Sequence, residues 1–185
     1  MRWDGLFADL EVQLEAVADE RLEAEIVERT RRELAATSFD GRLRAAARRT
    51  VELSVAQVGV VHGELRQVGP GWLLLDVRGG VPAVVATRHV TSARDLPVAA
   101  READRADLSS ESGLAHVLRV LARDRTVTGV VLSDGTTFTG TVDRVGTDYL
   151  DLAEHALDEP RRSAAVRGVR TLALSAVAVL RPRLG

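Results

Sequence analysis

The sequence predicts an α+β chain in which a long N-terminal amphipathic helix precedes two copies of a small five-stranded antiparallel barrel, each introduced by a short helix. Three observations predict this class. Residues 6–36 have the composition of a helix, residues 126–152 alternate as a meander of short strands, and residues 63–75 echo residues 140–152 at a constant spacing. An echo of this kind indicates a duplicated unit.

The overall composition limits the class of protein. Of the 185 residues, 45% are hydrophobic and 28% are charged, and the net charge is −2, so we expect a globular chain without a general attraction to nucleic acid or to an anionic membrane. There is no cysteine, which excludes disulfides and thiolate metal sites. Neither a signal pattern nor an apolar run of about 18 residues is present, so we expect a cytoplasmic protein that makes no membrane contact.

The N-terminal segment predicts the long helix. Residues 6–36 contain no proline or glycine and are rich in Ala, Leu, Glu and Arg, which favour helices. Its apolar residues recur at steps of three and four: Trp3, Leu6, Phe7, Leu10, Leu14 and Val17. At 1.5 Å per residue the helix would be about 45 Å long, which exceeds what a small barrel can cover. It therefore either packs on its own chain or forms a coiled-coil or oligomer seam.

A second, short helix is predicted after residue 37. Ser38 or Asp40 can cap its start, and it extends toward Ala47. Four arginines cluster in and after it: Arg42, Arg44, Arg48 and Arg49. This cluster is either a phosphate-binding patch or the solvated face of a helix, and we favour the solvated face, since charge runs on short helices usually contact only water.

The central meander predicts three consecutive strands. Val127 to Leu132 is aliphatic and β-branched, Ser133-Asp134-Gly135 has turn chemistry, and Thr136 to Val142 alternates polar and apolar residues. Gly140 interrupts the second strand, and a glycine inside a strand indicates a sharp bend or a close approach of another backbone. Tyr149 begins the third strand.

The echo aligns Gly63 to Leu75 with Gly140 to Leu152 without gaps, because 140 − 63 = 77 and 152 − 75 = 77. Upstream, Arg49-Thr50-Val51 resembles Arg125-Thr126-Val127, and a short helix is predicted before each of these segments. Each copy thus consists of a helix and five short strands, the layout of a small SH3-like barrel.

Downstream the two copies diverge. Arg78-Gly79-Gly80-Val81 predicts a tight two-residue hairpin in the first copy, whereas Glu154 to Ser163 is a longer excursion in the second. Both copies end in a short turn and a final strand. We therefore expect these domains: an N-terminal helix over residues 1–37, a first barrel over 38–96, a linker over 97–112 and a second barrel over 113–185.

The second copy carries a resemblance to a known family in these residues: Val131-Leu132, Asp134-Gly135, Phe138, Gly140, Val142 and Asp148 to Leu152. They resemble the first signature of the Sm/LSm family of RNA-binding barrels, and Val166-Arg167-Gly168 is similar to the second. The whole chain also resembles an uncharacterised family of high-GC Gram-positive bacteria, sometimes labelled Fis-type regulators. A Fis-type regulator needs a helix-turn-helix, whereas Leu172 to Leu184 predicts strands.

The resemblance implies nucleic-acid binding, but the residues at the reading position differ from the Sm pattern. Where Sm-like proteins use an Asn to read uridine, this chain has Asp151, and Leu74 in the first copy. An ionised Asp cannot donate a hydrogen bond and repels phosphate, and Leu can neither donate nor accept one. Six residues remain as candidates for nucleic-acid or partner binding: Arg161, Arg162, Arg167, Arg170, Trp72 and Tyr149. The two aromatics either stack on bases or pack in the barrels, and we favour packing.

No catalytic pattern appears. The four histidines, His62, His89, His116 and His155, lack the spacing of metal ligands, and no nucleotide-binding or nucleophile motif occurs. We therefore expect no enzyme, no metal and no cofactor. The sequence favours a structural or adaptor protein that forms a homo-oligomer or binds a protein partner. The alternative is an Sm-like RNA- or DNA-binding regulator that uses the arginines of the second barrel.

Overall fold

A computed structural model describes residues 21–22, 25–32, 34–77, 79–101, 113–156 and 167–183. It divides the chain into two compact units, Met1–Ser38 and Phe39–Gly185. In the first unit the described residues up to residue 35 are helical, and Arg32 forms an ion pair with Glu28 one turn earlier, at 3.2 Å. The predicted apolar stripe from Trp3 to Val17 lies outside the described residues.

Within its described residues the second unit contains ten strands, two short helices and two 3₁₀ turns. The helices are α1 (Phe39–Ala45) and α2 (Leu114–Arg123), and the 3₁₀ turns are Thr87–His89 and Leu174–Ala176. The strands of the first half are β1 (Thr50–Val55), β2 (Gly59–Gly69), β3 (Trp72–Val77), β4 (Val81–Ala86) and β5 (Val90–Arg94). Those of the second half are β6 (Val127–Leu132), β7 (Thr137–Val145), β8 (Tyr149–Glu154), β9 (Gly168–Ala173) and β10 (Val177–Pro182).

The predicted fold class, α+β with two tandem SH3-like or Sm-like barrels, is wrong. The ten strands form one continuous antiparallel sheet in the order β5-β1-β2-β3-β4-β10-β6-β7-β8-β9. The last strand, β10, pairs with β6 on one side and with β4 on the other, so backbone hydrogen bonds run from one half into the other. A local sequence pattern predicts strands, but it does not reveal that β10 pairs with β4, which lies far earlier in the sequence.

The predicted long N-terminal helix is likewise not shown. Before Phe39, the helical residues that the structure describes begin only at residue 21. In the part of the second unit that the structure describes, the two helices have 7 and 10 residues. Helix is therefore a minor part of the described fold, and the predicted domain limits inside residues 38–185 stay predictions.

The two halves of the sheet nevertheless have the same order of elements and the same strand registers. Val51 faces Gly63 in the first half and Thr128 faces Gly140 in the second, so residues of β1 to β3 match residues 77 positions later. Trp72 lies opposite Ala86, and its match Tyr149 lies opposite Ala173. Residues of β4 and β5 therefore match residues 87 positions later in the sequence, since 173 − 86 = 87. The predicted upstream alignment is off by one residue, since Val51 matches Thr128 and not Val127.

Gly63 and Gly140 lie where the long strands β2 and β7 pass from one neighbour to the next. β1 pairs with residues 59–64 of β2, and β3 pairs with residues 63–69. A side chain on Gly63 would overlap the backbone of Asp76, and one on Gly140 would overlap the backbone of Ala153. The close backbone approach that the sequence predicts at Gly140 is confirmed.

A hairpin turn follows β3 as predicted, but its predicted length of two residues is wrong, because Val77 pairs with Val81 and three positions separate them. Gly79 and Gly80 have φ values of 87° and 72°, which side chains disfavour, and the Gly80 N–H donates to the Val77 carbonyl at 3.0 Å. The predicted short helix after Ser38 is present as α1, and Leu172 to Arg183 contains strand and a 3₁₀ turn, as the sequence indicates.

The apolar side chains form two clusters, one in each half. The first joins Leu43 of α1 to leucines of the sheet: Leu53, Leu65, Leu73 and Leu75. The second joins Leu118 of α2 to Val130, Val142, Leu150 and Leu152. All of these side chains are fully buried, and each such burial stabilises the fold by about 1.5–3 kcal/mol. No helix in the described ranges combines the length and apolar character needed to cross a membrane.

Candidate functional site

The junction of β4 and β10 shows how this sheet joins one half to the next. Val85 lies opposite Val179 and Val84 lies opposite Leu180, in antiparallel pairing. All four side chains are buried. Each half also contributes side chains to the core cluster of the other half. The second cluster contains Trp72, Val84 and Ala86, and the first contains Val131, Ala178 and Val179. The junction is therefore an apolar interface in which backbone pairing and core packing act together.

Arg88 connects the two halves by hydrogen bonds at one end of the junction. It lies in the first 3₁₀ turn, and its Nε donates to the carbonyl of Ser175 in the second turn at 3.1 Å. Its terminal nitrogen also donates to the carbonyls of Leu174 and Val177. A planar guanidinium can serve several carbonyls at once, because it carries five N–H donors in fixed directions. The residue that matches Arg88 in the second half is Ser175, which cannot make these contacts.

The two ends of the sheet are β5 and β9. In the part of the chain that the structure describes, β5 pairs only with β1, and β9 pairs only with β8. By the matching of the two halves, β9 corresponds to β4, and β5 corresponds to β10. We call these two strands the outer edges. Each outer edge therefore repeats one of the two strands that pair with each other at the junction.

The outer edges are more polar than the junction. Six residues on or beside the junction strands, Trp72, Leu74, Val84, Val131, Ala178 and Val179, are matched on or beside the outer edges by Tyr149, Asp151, Thr171, Ser54, Thr91 and Ser92, respectively. The hydroxyl of Thr171, on β9, donates to the carboxylate of Asp151, on the neighbouring strand β8, at 2.7 Å. Polar side chains on an edge weaken its tendency to pair with other chains.

Some apolar surface remains on β9 and beside it. The Val169 side chain is 62% exposed and Tyr149 is 40% exposed, whereas Trp72, which matches Tyr149, is only 6% exposed. Both aromatic rings lie against a glycine three residues earlier, Gly69 or Gly146. Trp72 packs in the second cluster, as the sequence analysis favours, whereas Tyr149 stays partly accessible at the outer edge.

The predicted arginine site is assembled only in part. Arg161 and Arg162 lie outside the described residues. Arg167 is exposed next to the start of β9, and its backbone N–H donates to the Glu154 carbonyl at 2.9 Å. Arg170 forms an ion pair with the Glu154 carboxylate and lies 4.4 Å from the centre of the Phe138 ring. The hydrogen bond to Glu154 raises the pKa of Arg170. Its charge is therefore already paired within the chain.

A polar cavity of about 290 Å³ lies beside these residues, lined by Phe138, Glu154, His155 and Arg167 among others. His155 is buried: its Nδ1 lies 2.9 Å from the Ala156 carbonyl, and its Nε2 lies 2.8 Å from Thr141 Oγ1. Both ring nitrogens thus have partners within the protein, which suits a structural histidine better than a catalytic one. Among the described residues, no group of three or more His, Asp or Glu is placed to hold a metal ion.

The sequence patterns did not predict the roles of Arg88 and the outer edges. The counterpart of Arg88 in the second half is Ser175, so the echo does not preserve a basic residue at this position. The edges did leave a signal: apolar Leu74 and Val84 are matched by polar Asp151 and Thr171. This contrast indicates that one copy of the edge is covered and the other is not.

In comparisons with known proteins, no protein-family model matches this chain, and no curated protein matches it significantly.

Proposed function

We propose that the protein is a non-enzymatic structural protein that associates with further copies of itself through its outer edges. The observation that supports this most is the correspondence of β9 with β4 and of β5 with β10. The pairing that joins the halves inside one chain can be repeated between chains, with β9 of one copy beside β5 of the next. Such head-to-tail contacts generate closed rings or open filaments.

The side chains at the outer edges set the strength of this association. Pairing between copies would satisfy the open backbone groups of β5 and β9 and would cover Tyr149 and Val169. The matching positions carry Ser92 and Thr171 where the junction has valines, so less apolar surface is buried and the contact lacks an equivalent of Arg88. We therefore expect a reversible, concentration-dependent assembly.

The nucleic-acid alternative has weaker support. Trp72 is buried, so it cannot stack on a base, and Arg170 is paired with Glu154. Among the described candidates this leaves Tyr149 and Arg167, of which only Arg167 carries a positive charge that can contact a phosphate backbone. We also propose that the protein is not an enzyme and that it is located in the cytoplasm, as the sequence indicates.

Light scattering at a series of concentrations tests the proposal. The wild-type mass should rise above that of one chain, and Ser92→Lys should return it to one chain, because a lysine there places a charge in the predicted contact. The matched control is His116→Lys on the exposed side of α2, which should assemble like wild type. A mass of one chain at every concentration for the wild type would count against self-association.

A further inference from the structure

A small basic cleft lies between α1 and β2, away from the outer edges in sequence. Its volume is about 170 Å³, and its lining includes four arginines: Arg44, Arg48, Arg66 and Arg101. Gln67 and two apolar residues complete the lining that the described residues form, and no carboxylate is among them. In a chain with a net charge of −2, these four arginines form a local basic cluster.

The backbone fixes the positions of these arginines. The Arg48 N–H donates to the Leu65 carbonyl at 2.7 Å, and the Arg101 N–H donates to the Gly41 carbonyl of α1 at 3.0 Å. Arg48 has a φ of 65°, in the left-handed region, and the matching Arg125 has a φ of 52°. The turn is thus a feature of the fold in both halves, and only the side chains around it differ.

In the second half, an acidic residue neutralises the arginine at this turn. Arg125 matches Arg48, and it forms an ion pair with Asp143 at 3.2 Å. The residue that matches Asp143 in the first half is Arg66, so an acid is replaced by a second base. Two cations facing one cleft repel each other unless an anion lies between them.

The charges of the cleft are only partly compensated. Arg66 bonds to Glu64 at 2.9 Å and to Asp76 at 3.0 Å, and these carboxylates raise the pKa of Arg66. Across the described ranges, the side chains of Arg44 and Arg48 have no hydrogen bond or ion pair. Their N–H donors are therefore available to an external acceptor.

We propose that this cleft binds a single phosphate group. Guanidinium groups bind phosphate through paired N–H donors, and several arginines around one small space suit a compact dianion. The volume is below the roughly 300–1,000 Å³ of sites that enclose whole small molecules, so the cleft has room for one group rather than for a nucleotide. The phosphate is either the free ion or the end of a phosphomonoester whose remainder lies in solvent. This site is independent of the proposed assembly.

Calorimetric titration of the full chain with inorganic phosphate, at constant ionic strength, tests the proposal. The wild type should show saturable binding. Arg48→Gln should weaken it about tenfold or more, because a charged donor is lost. Arg66→Asp should abolish it, since it recreates the neutral pair of the second half. The matched control is Arg125→Gln, which should bind like wild type. Should Arg48→Gln fail to fold, Arg44→Gln replaces it.

Equal binding by wild type and Arg66→Asp would overturn the proposal, as would an equal loss in Arg48→Gln and Arg125→Gln. A separate titration with sodium chloride that produces the same binding heat as phosphate would overturn it too. Methyl phosphate separates the two sources. Binding as tight as that of inorganic phosphate indicates a phosphomonoester, and binding of inorganic phosphate alone indicates the free ion.

Discussion

At Gly63 and Gly140 the neighbouring backbone occupies the space of a side chain. The obstructing atoms belong to the backbone of Asp76 and Ala153, which cannot rotate away as a side chain can. Each glycine lies where a long strand passes from one pairing partner to the next, so the close approach of the neighbouring strand depends on it. A hydrogen atom in place of a methyl group therefore leaves room for that backbone.

Gly140→Ala should destabilise the fold by about 1–3 kcal/mol, because the strands must move apart to admit the methyl group. The matched control is Gly129→Ala in β6, where a new Cβ would meet Arg181 at an ordinary 3.8 Å. The control should leave the free energy of unfolding unchanged or slightly higher, as measured by denaturant titration. Equal stabilities of the two variants would show that Gly140 is not under steric constraint.

The buried contact between Thr141 and His155 provides a second prediction. Thr141→Val should cost about 1–3 kcal/mol, since it leaves a buried ring nitrogen of His155 without a partner. Thr128→Val is the control. Thr128 is buried too, but its hydroxyl donates only to the nearby Thr126 carbonyl, and its match in the first half is Val51. Thermal unfolding should separate the variants; a larger loss for Thr128→Val would contradict the assignment.

At the scale of elements, the junction of β4 and β10 is held by Arg88 as well as by apolar packing. Arg88→Met should reduce the free energy of unfolding by about 1–3 kcal/mol, because three carbonyls around the second 3₁₀ turn lose a charged donor. The control is Arg94→Met, which removes an exposed ion pair with Glu52 and should cost about 0–1 kcal/mol. Similar losses in urea titrations would indicate that Arg88 does not fasten the junction.

Local sequence patterns predicted the strands well and their pairing poorly. The hairpin of β6 and β7, the glycine turn after β3 and the close backbone approach at Gly140 are signalled by residues close in sequence, so periodicity and turn chemistry reveal them. The pairing of Val85 with Val179 joins residues 94 positions apart, and no local pattern specifies it. The contrast between Leu74 and Asp151 was visible in the sequence, but its structural meaning required the strand order.

In the candidate sites, too, the sequence reveals residues that are neighbours along the chain, whereas residues that only the fold brings together are not predicted. The clustering of Arg44 and Arg48 was visible in the sequence, and a solvated helix face was the favoured interpretation. Arg66 and Arg101 approach them only through the fold, at the bulge of β2 and by a hydrogen bond to α1. Those two residues change the cluster from one side of a helix into the lining of a cleft.

For the whole molecule, one continuous sheet means that the two halves depend on each other. Each cluster contains side chains from the other half, so separating the halves would expose Trp72 and Val84 on one side and Ala178 and Val179 on the other. The same geometry leaves a matching pair of strands at the outer edges. The central claim is that these edges pair between copies.

Cysteine cross-linking tests this claim most directly, since the chain has no cysteine of its own. The junction pair Val84 and Leu180 is matched by Thr171 and Ala93, which should lie opposite each other between copies. Thr171→Cys and Ala93→Cys are prepared separately, mixed and oxidised gently. We predict that the mixed disulfide forms faster than either symmetric one. Statistical amounts of all three dimers, or none, would contradict pairing of β9 with β5.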